Sequence, residues 1–321
     1  MGEMQSIGSW WMWSGFGLFV VVMLSIDMFA LGRKGAHKVS AKEALLWSLV
    51  WFSLALLFGG ALWAWLDHTS GRAIADARTM EYLTGYLLEK TLAMDNIFVF
   101  VMLFSYFAVP IEYQKRVLVY GVLGAIVLRA LMILLGAWLI AEFHWVLYLF
   151  GAFLLITGIK MFIFADQEPN LAKNPLLKWL KKHMRITDTY HGDKFWIVEK
   201  GVRWFTPMFL VLVLVEFSDV VFAMDSIPAI FAITSDPFIV FTSNIFAILG
   251  LRALYFLLAD MADRFHLLKY GLAVVLMFVG TKMLIVEWLK IPVVVSLGVV
   301  ISVIGISILL SLKSTRDRIQ N

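Results

Sequence analysis

The strongest constraint in this sequence is a succession of apolar stretches, each about as long as a bilayer is thick. A helix needs about 20 apolar residues to cross the hydrocarbon core. Nine such stretches can be drawn, at roughly 11–31, 44–66, 81–107, 117–140, 145–164, 205–233, 238–260, 270–287 and 292–312. Hydrocarbon offers the backbone no hydrogen-bond partners, so each stretch must be a helix. The expectation is therefore an all-α polytopic membrane protein of about nine transmembrane helices. Composition agrees: 61% of the 321 residues are hydrophobic and 16% are charged, whereas a soluble chain is nearer half and a quarter. The longest polar segment, about 165–204, is too short to argue for a second domain, so residues 1–321 read as a single transmembrane domain.

Basic residues divide unevenly between alternate loops. Nineteen of the 27 Lys and Arg fall after spans one, three, five and seven or in the tail, and three (Arg72, Arg78 and Lys290) fall on the other side. Positively charged loops stay cytoplasmic, which places the N-terminus outside and the C-terminus inside. The same bias accounts for the net charge of +4 without nucleic acid as a partner. The leading "MGEMQSIGSW" has no positive charge, so span one reads as a retained crossing rather than a cleaved signal. There is no cysteine, hence no disulfide and no thiolate site.

Against this apolar background one phrase recurs. "LAMDNI" (92–97) and "FAMDSI" (222–227) each bury an aspartate, Asp95 and Asp225, and an acid precedes each by six residues, Glu89 and Asp219. "LRALM" (128–132) is matched by "LRALY" (251–255), and "GIKMFI" (158–163) by "GTKMLI" (280–285). Three matches in one order indicate duplication: repeat A at about 81–164 and repeat B at about 205–287. Each unit has three spans, an odd number, so the second copy runs the opposite way through the bilayer. Spans three to five and six to eight form an inverted 3+3 repeat, an architecture that places substrate near the midplane between the halves.

Six carboxylates lie within spans: Asp27, Glu89, Asp95, Glu216, Asp219 and Asp225. Each costs about 2.5 kcal/mol or more at a helix centre, and such residues are functional by default. The plainer alternative is structural pairing with Lys90, Arg129, Lys160, Arg252 or Lys282. Lys160 and Lys90 can also snorkel to an interface, and Asp27 sits near a helix end. On a helical wheel Glu89 and Asn96 share a face, and Asp219 and Ser226 repeat that relation. Pro228 follows Asp225 closely and is expected to kink or open the helix there. So many acids around one cavity exceed the positive charge of Arg129 and Arg252, which points to a cation, to protons, or to both. Oxygen ligands suit Mg²⁺, Ca²⁺ and Mn²⁺. Met94 and Met224 directly precede the two aspartates. A thioether there biases the site toward Mn²⁺ or Fe²⁺, unless both simply fill packing gaps.

The stretches "EKTLAMDNIFVF", "VEFSDVVFAMDSIPAIFAIT" and "SNIFAILGLRALYF" resemble the TerC family of bacterial membrane proteins, in its Alx branch. The likeness extends from "IDMFALGRKGAH" to "KYGLAVVLMFVGTKMLIV". It implies export of Mn²⁺ across the inner membrane, linked with alkaline pH, and a family name taken from tellurium resistance. It also implies that Glu89, Asp95, Glu216, Asp219 and Asp225 are metal-site residues. Mn²⁺ would then be transported substrate, with no permanent cofactor, and protons and the lipid bilayer would be the other partners. Two alternatives use the same acids: an accessory protein supplying Mn²⁺ to exported enzymes, in contact with the secretion machinery, and a proton pathway for pH homeostasis. An enzyme is not expected, because the chain has no GxGD, HExxH or GxSG motif. The 165–204 loop reads as a solvated connector.

Overall fold

The computed structural model describes residues 6–32, 41–143, 145–163, 175–258, 267–289 and 291–320, with all their side chains except those of residues 27–32, 41, 94, 95, 98, 141, 258 and 315–320. These residues form eleven helices and one two-stranded hairpin. The helices are α1 (Trp10–Gly32), α2 (Ala41–Ser70), α3 (Arg72–Tyr106), α4 (Ile111–Glu142), α5 (Val146–Ile163), α6 (Pro175–His183), α7 (Pro207–Phe231), α8 (Pro237–Leu249), α9 (Leu251–Leu258), α10 (Leu268–Leu284) and α11 (Val293–Gln320). Six stretches among the described residues are long and apolar enough to cross a membrane: those within α2, α4, α5, α7 and α11, and α8 taken with α9. Of the remaining expected spans, α1 has a described apolar part of Trp10–Ile26. Helix α10 has 17 residues, and the 35-residue α3 carries Glu89 and Lys90 along its length.

Three local differences from the sequence reading have physical causes. Residues 67–80, expected as a loop, are helical except at Gly71, whose φ of 89° turns α2 directly into α3. Glycine has no Cβ to resist that conformation. Trp63 Nε1 donates to Asp76 at 2.8 Å and Arg72 pairs with Asp67 at 2.9 Å, which ties the two helices together at the turn. Helix α7 continues through Pro228, which lies in its last turn, so the expected opening is not there. Instead span seven divides at Gly250, between α8 and α9.

The supposed connector at 165–204 is partly folded. Strands β1 (Trp196–Glu199) and β2 (Val202–Phe205) pair antiparallel around Lys200 and Gly201, both at positive φ (49° and 76°). That is the geometry of a two-residue hairpin turn whose twist matches its strands. Leu177 and Leu180 of α6 and Phe195 pack into a core with Phe104, Met208 and Leu214, at one end of α3 and α7. Tyr190 donates to the Phe107 carbonyl at 2.6 Å, and Arg116 pairs with Asp193 at 2.6 Å. Burial raises the Tyr190 phenol above its ordinary pKa of 10.0.

Helix α8 is the centre of the molecule, with nearly every residue of the α8–α9 stretch buried. A helix that is apolar all round belongs in a core. Asp236 caps it, accepting from the N–H groups of Phe238 and Ile239. The same carboxylate accepts from Ser6 Oγ at 3.1 Å and from the Ile7 N–H at 2.7 Å, which fastens the N-terminal segment to α8. Helix α3 lies along α8, α4 along α7, and α5 along α10. The last contact is the closest approach. A Cβ on Gly280 would lie 2.6 Å from the Leu155 nitrogen and 2.7 Å from the Gly151 carbonyl oxygen. One on Gly158 would lie 2.9 Å from the Ala273 carbonyl oxygen.

Candidate functional site

Where α3, α4, α7 and α8 meet, a guanidinium is buried among acids. Arg129, 1% exposed, comes from the middle of α4. Its Nε donates to Asp219 Oδ2 at 3.2 Å and its Nη2 to Asp219 Oδ1 at 3.0 Å, a two-pronged hold. Its Nη1 pairs with Glu89 of α3 and reaches Ser226 Oγ at 3.3 Å and Asn244 Oδ1 at 3.4 Å. Asn96 Nδ2 donates to Asp219 Oδ1 at 3.4 Å. Glu89 and Asp219 are 1% and 3% exposed, so this network of acids and guanidinium is closed off from solvent. Buried charges persist only when paired and hydrogen-bonded. Several oxygens nonetheless lack hydrogen-bond partners among the described residues: Glu89 Oε2, Asn96 Oδ1 and Glu216 Oε2.

The remaining candidate residues lie around this network. Glu216 is one turn before Asp219 on α7 and lies against Gly124 of α4, where a Cβ would overlap its carboxylate. Asp225 has Thr157 of α5 within electrostatic reach and takes no part in the contacts of Arg129 described above. Met224 is 50% exposed on the outer surface of α7, away from the network. Arg252 lines a small cavity together with Asp219, Val215 and Gly121. Lys160 is exposed in the last turn of α5. Lys282 is buried and donates to Ser296 Oγ of α11 at 2.9 Å, with Glu81 in electrostatic reach. The side chains of Asp27, Met94 and Asp95 lie outside the described residues.

One participant, Asn244, was not singled out from the sequence, and Lys90 is placed differently from its sequence reading. Asn244, an amide in an otherwise apolar stretch, accepts from Arg129; its polarity amid "FTSNIFAIL" was the available signal. Lys90 does not snorkel outward. Its Nζ donates to the Ala247 carbonyl at 3.1 Å, at the C-terminal end of α8 where a cation is favoured. A groove of about 540 Å³ lies elsewhere, between α1, α2 and α8. It is lined by Trp11, Phe16, Phe58, Trp65 and Phe246 and has no charged residue.

Fold and site together define a multi-pass α-helical membrane protein organised around a buried ionic network. The chain belongs to the integral membrane protein TerC family, whose description fits residues 74–318. It is 56% identical over 308 residues to an Escherichia coli K12 protein named "Putative membrane-bound redox modulator Alx", covering 96% of each chain. It is 53% identical to a Photorhabdus laumondii protein of the same name, again over 96% of each chain. It is 48% identical over 316 residues to an uncharacterised membrane protein of Myxococcus xanthus, covering 98% of this chain and 96% of that one. No solved structure matches it.

Proposed function

We infer that this protein exports divalent metal, Mn²⁺ foremost, from the cytoplasm across the bacterial inner membrane through the carboxylates around Arg129. The observation that carries the reading is that Glu89 and Asp219, matching positions of the two sequence repeats, converge on one cation in the interior of the helix bundle. Asn96 and Ser226, also matching positions, join them. Asp95 and Asp225, the repeated aspartates of the two halves, are the further carboxylates this reading draws on, since oxygen ligands suit a hard or borderline divalent ion. The choice of Mn²⁺ over Mg²⁺ rests on the family resemblance.

The nine-span inverted repeat gives this site its mechanism. Several contacts support it. Helix α3 lies along α8 and α4 along α7, an exchange expected of two halves related by a two-fold axis. Gly151 meets Gly280, and their repeat equivalents Ala273 and Gly158 meet each other. Export must oppose an inside-negative potential of about 2.3 kcal/mol per charge per 100 mV, hence about twice that for a divalent ion. Re-entry of protons on the same carboxylates supplies the coupling. The relatives are named as redox modulators; without cysteine this chain has no thiol to offer, and metal content is the route by which it would influence redox state.

The test is Mn²⁺ uptake into inside-out vesicles by the natural chain and by Asp95→Asn, Asp219→Asn and Asp225→Asn. Uptake by the natural chain, lost in all three variants and dependent on a proton gradient, is the expected result. Unchanged uptake in the variants refutes the site. Absence of uptake by the natural chain, with proton flux that the variants abolish, replaces metal export by a proton pathway.

A further inference from the structure

Arg129 does more than a structural ion pair requires. One guanidinium satisfies both oxygens of Asp219, pairs with Glu89 and touches two neutral oxygens, Ser226 Oγ and Asn244 Oδ1. The charges of Glu89, Asp219 and Arg129 sum to −1. A divalent ion added to that set leaves +1 in a low-dielectric interior, whereas a divalent ion in place of Arg129 leaves zero. Arg129 and Asn96 already fill three of the about four lone-pair sites of Asp219. Arg129 and a metal ion therefore compete for these oxygens.

A displaced guanidinium needs another acceptor, and the structure has one. Glu216 lies one turn before Asp219 on α7, about 4.5 Å along the axis at 1.5 Å per residue. Its carboxylate occupies the space left by Gly124, which precedes Arg129 on α4, and its Oε2 has no hydrogen-bond partner among the described residues. Helical side chains lean toward the N-terminus of their own helix. Along the α4 axis that is the direction of Gly124 and Glu216; around it Gly124 lies about 140° from Arg129, so the guanidinium moves sideways as well as along the helix.

We propose that Arg129 is a tethered cation that holds the metal site shut, and that it moves from Asp219 to Glu216 when a divalent ion enters. Glu216 then acts by receiving Arg129, not by ligating metal. This inference rests on the divalent-metal reading above and adds an order of events: ion exchange between a fixed cation and a mobile one.

The test is Mn²⁺ binding to the purified full-length protein, read from loss of the free-ion electron paramagnetic resonance signal and from the Mn²⁺-dependent rise in melting temperature. If the Arg129-free state is about one-tenth populated, Arg129→Gln binds Mn²⁺ about tenfold more tightly and gains more melting temperature from Mn²⁺ than the natural chain. Glu216→Gln binds more weakly. The double variant Arg129→Gln/Glu216→Gln returns to the affinity of Arg129→Gln, because with no guanidinium to receive, Glu216 has no task. A double variant as weak as Glu216→Gln overturns the proposal and makes Glu216 a ligand. Arg129→Gln no tighter than a natural chain that does bind Mn²⁺ overturns the proposal alone. No saturable binding by the natural chain overturns both the proposal and the metal reading. Should Arg129→Gln fail to melt cooperatively, Arg129→Lys replaces it. Its ammonium lacks the two-pronged fork, so it also binds Mn²⁺ more tightly than the natural chain, by a smaller factor, and equal or weaker binding again overturns the proposal.

Discussion

Gly280→Ala adds a single methyl group where α10 crosses α5. The new Cβ would lie 2.6 Å from the Leu155 nitrogen, 2.7 Å from the Gly151 carbonyl oxygen and 3.1 Å from the Leu155 Cα. All three obstacles are backbone atoms of one helix, so no rotamer change relieves them and the two helices must separate. Overpacking costs about 1–3 kcal/mol, and backbone obstacles place this site at the upper end. Replacing glycine by alanine in a helix returns about 1 kcal/mol. The net expectation is a loss of about 2 kcal/mol. Gly305→Ala on α11 is the control, since nothing lies within 4 Å of its Cβ; it feels the propensity gain alone and is neutral or stabilising. The assay is thermal unfolding of both variants and the natural chain in one detergent. If Gly280→Ala melts at or above the natural chain, the α5–α10 contact is not as close as described. The swapped glycine contacts would then no longer support an inverted repeat.

Three further outcomes follow from particular contacts. Asp219→Asn removes one partner of a buried guanidinium and, in its observed position, leaves Arg129 paired with Glu89 alone; breaking a buried pair costs about 3–5 kcal/mol, seen as a lowered melting temperature even without metal. Asp236→Ala removes both the α8 cap and the clasp on Ser6 and Ile7. The cap is worth about 1 kcal/mol, and hydrogen exchange at the Ile7 amide should accelerate well beyond that of the remainder of α8. Tyr190→Phe loses one hydrogen bond to the Phe107 carbonyl, worth about 0.5–1.5 kcal/mol, so limited proteolysis within the 165–204 segment speeds up. The sign of its pH dependence is fixed: burial raises the Tyr190 pKa above 10.0, so above that pH the detached phenol ionises while the docked one does not, and docking weakens as pH rises further. Proteolysis of the natural chain that is equally slow on both sides of pH 10.0 would contradict it.

The acid network shows which parts of a membrane site can be read from a sequence. Burial energy makes every charge in an apolar stretch conspicuous, and helical spacing sorts charges onto faces. Those two facts were enough to group Glu89 with Asn96 and Asp219 with Ser226, and the structure assembles these four residues around Arg129. Spacing along one helix does not say which neighbouring helix a face meets. Asp225 lies six residues from Asp219, about 240° around α7, with Thr157 of α5 rather than Arg129 as its neighbour in electrostatic reach. Met224 faces outward for the same reason. A lone neutral amide such as Asn244 acquires meaning only once α8 lies against α4.

Repetition has a similar limit, because it identifies equivalent residues and says nothing of how the copies differ. On the inverted-repeat reading, Gly250 corresponds to Val127, at the same offset that relates Arg252 to Arg129. Yet α4 runs unbroken through Val127, while the second copy divides at Gly250 into α8 and α9. A Cβ at Gly250 would lie 2.6 Å from Lys90 Nζ and 3.1 Å from Trp51 Cβ, so the absence of a side chain there is what lets Lys90 reach the end of α8. Arg129 is accordingly held inside a continuous helix, and Arg252 stands one residue beyond the start of a new one. On the proposed metal-export reading, two arginines so differently held cannot respond alike to an entering cation, and Gly250 is one place where the two halves differ.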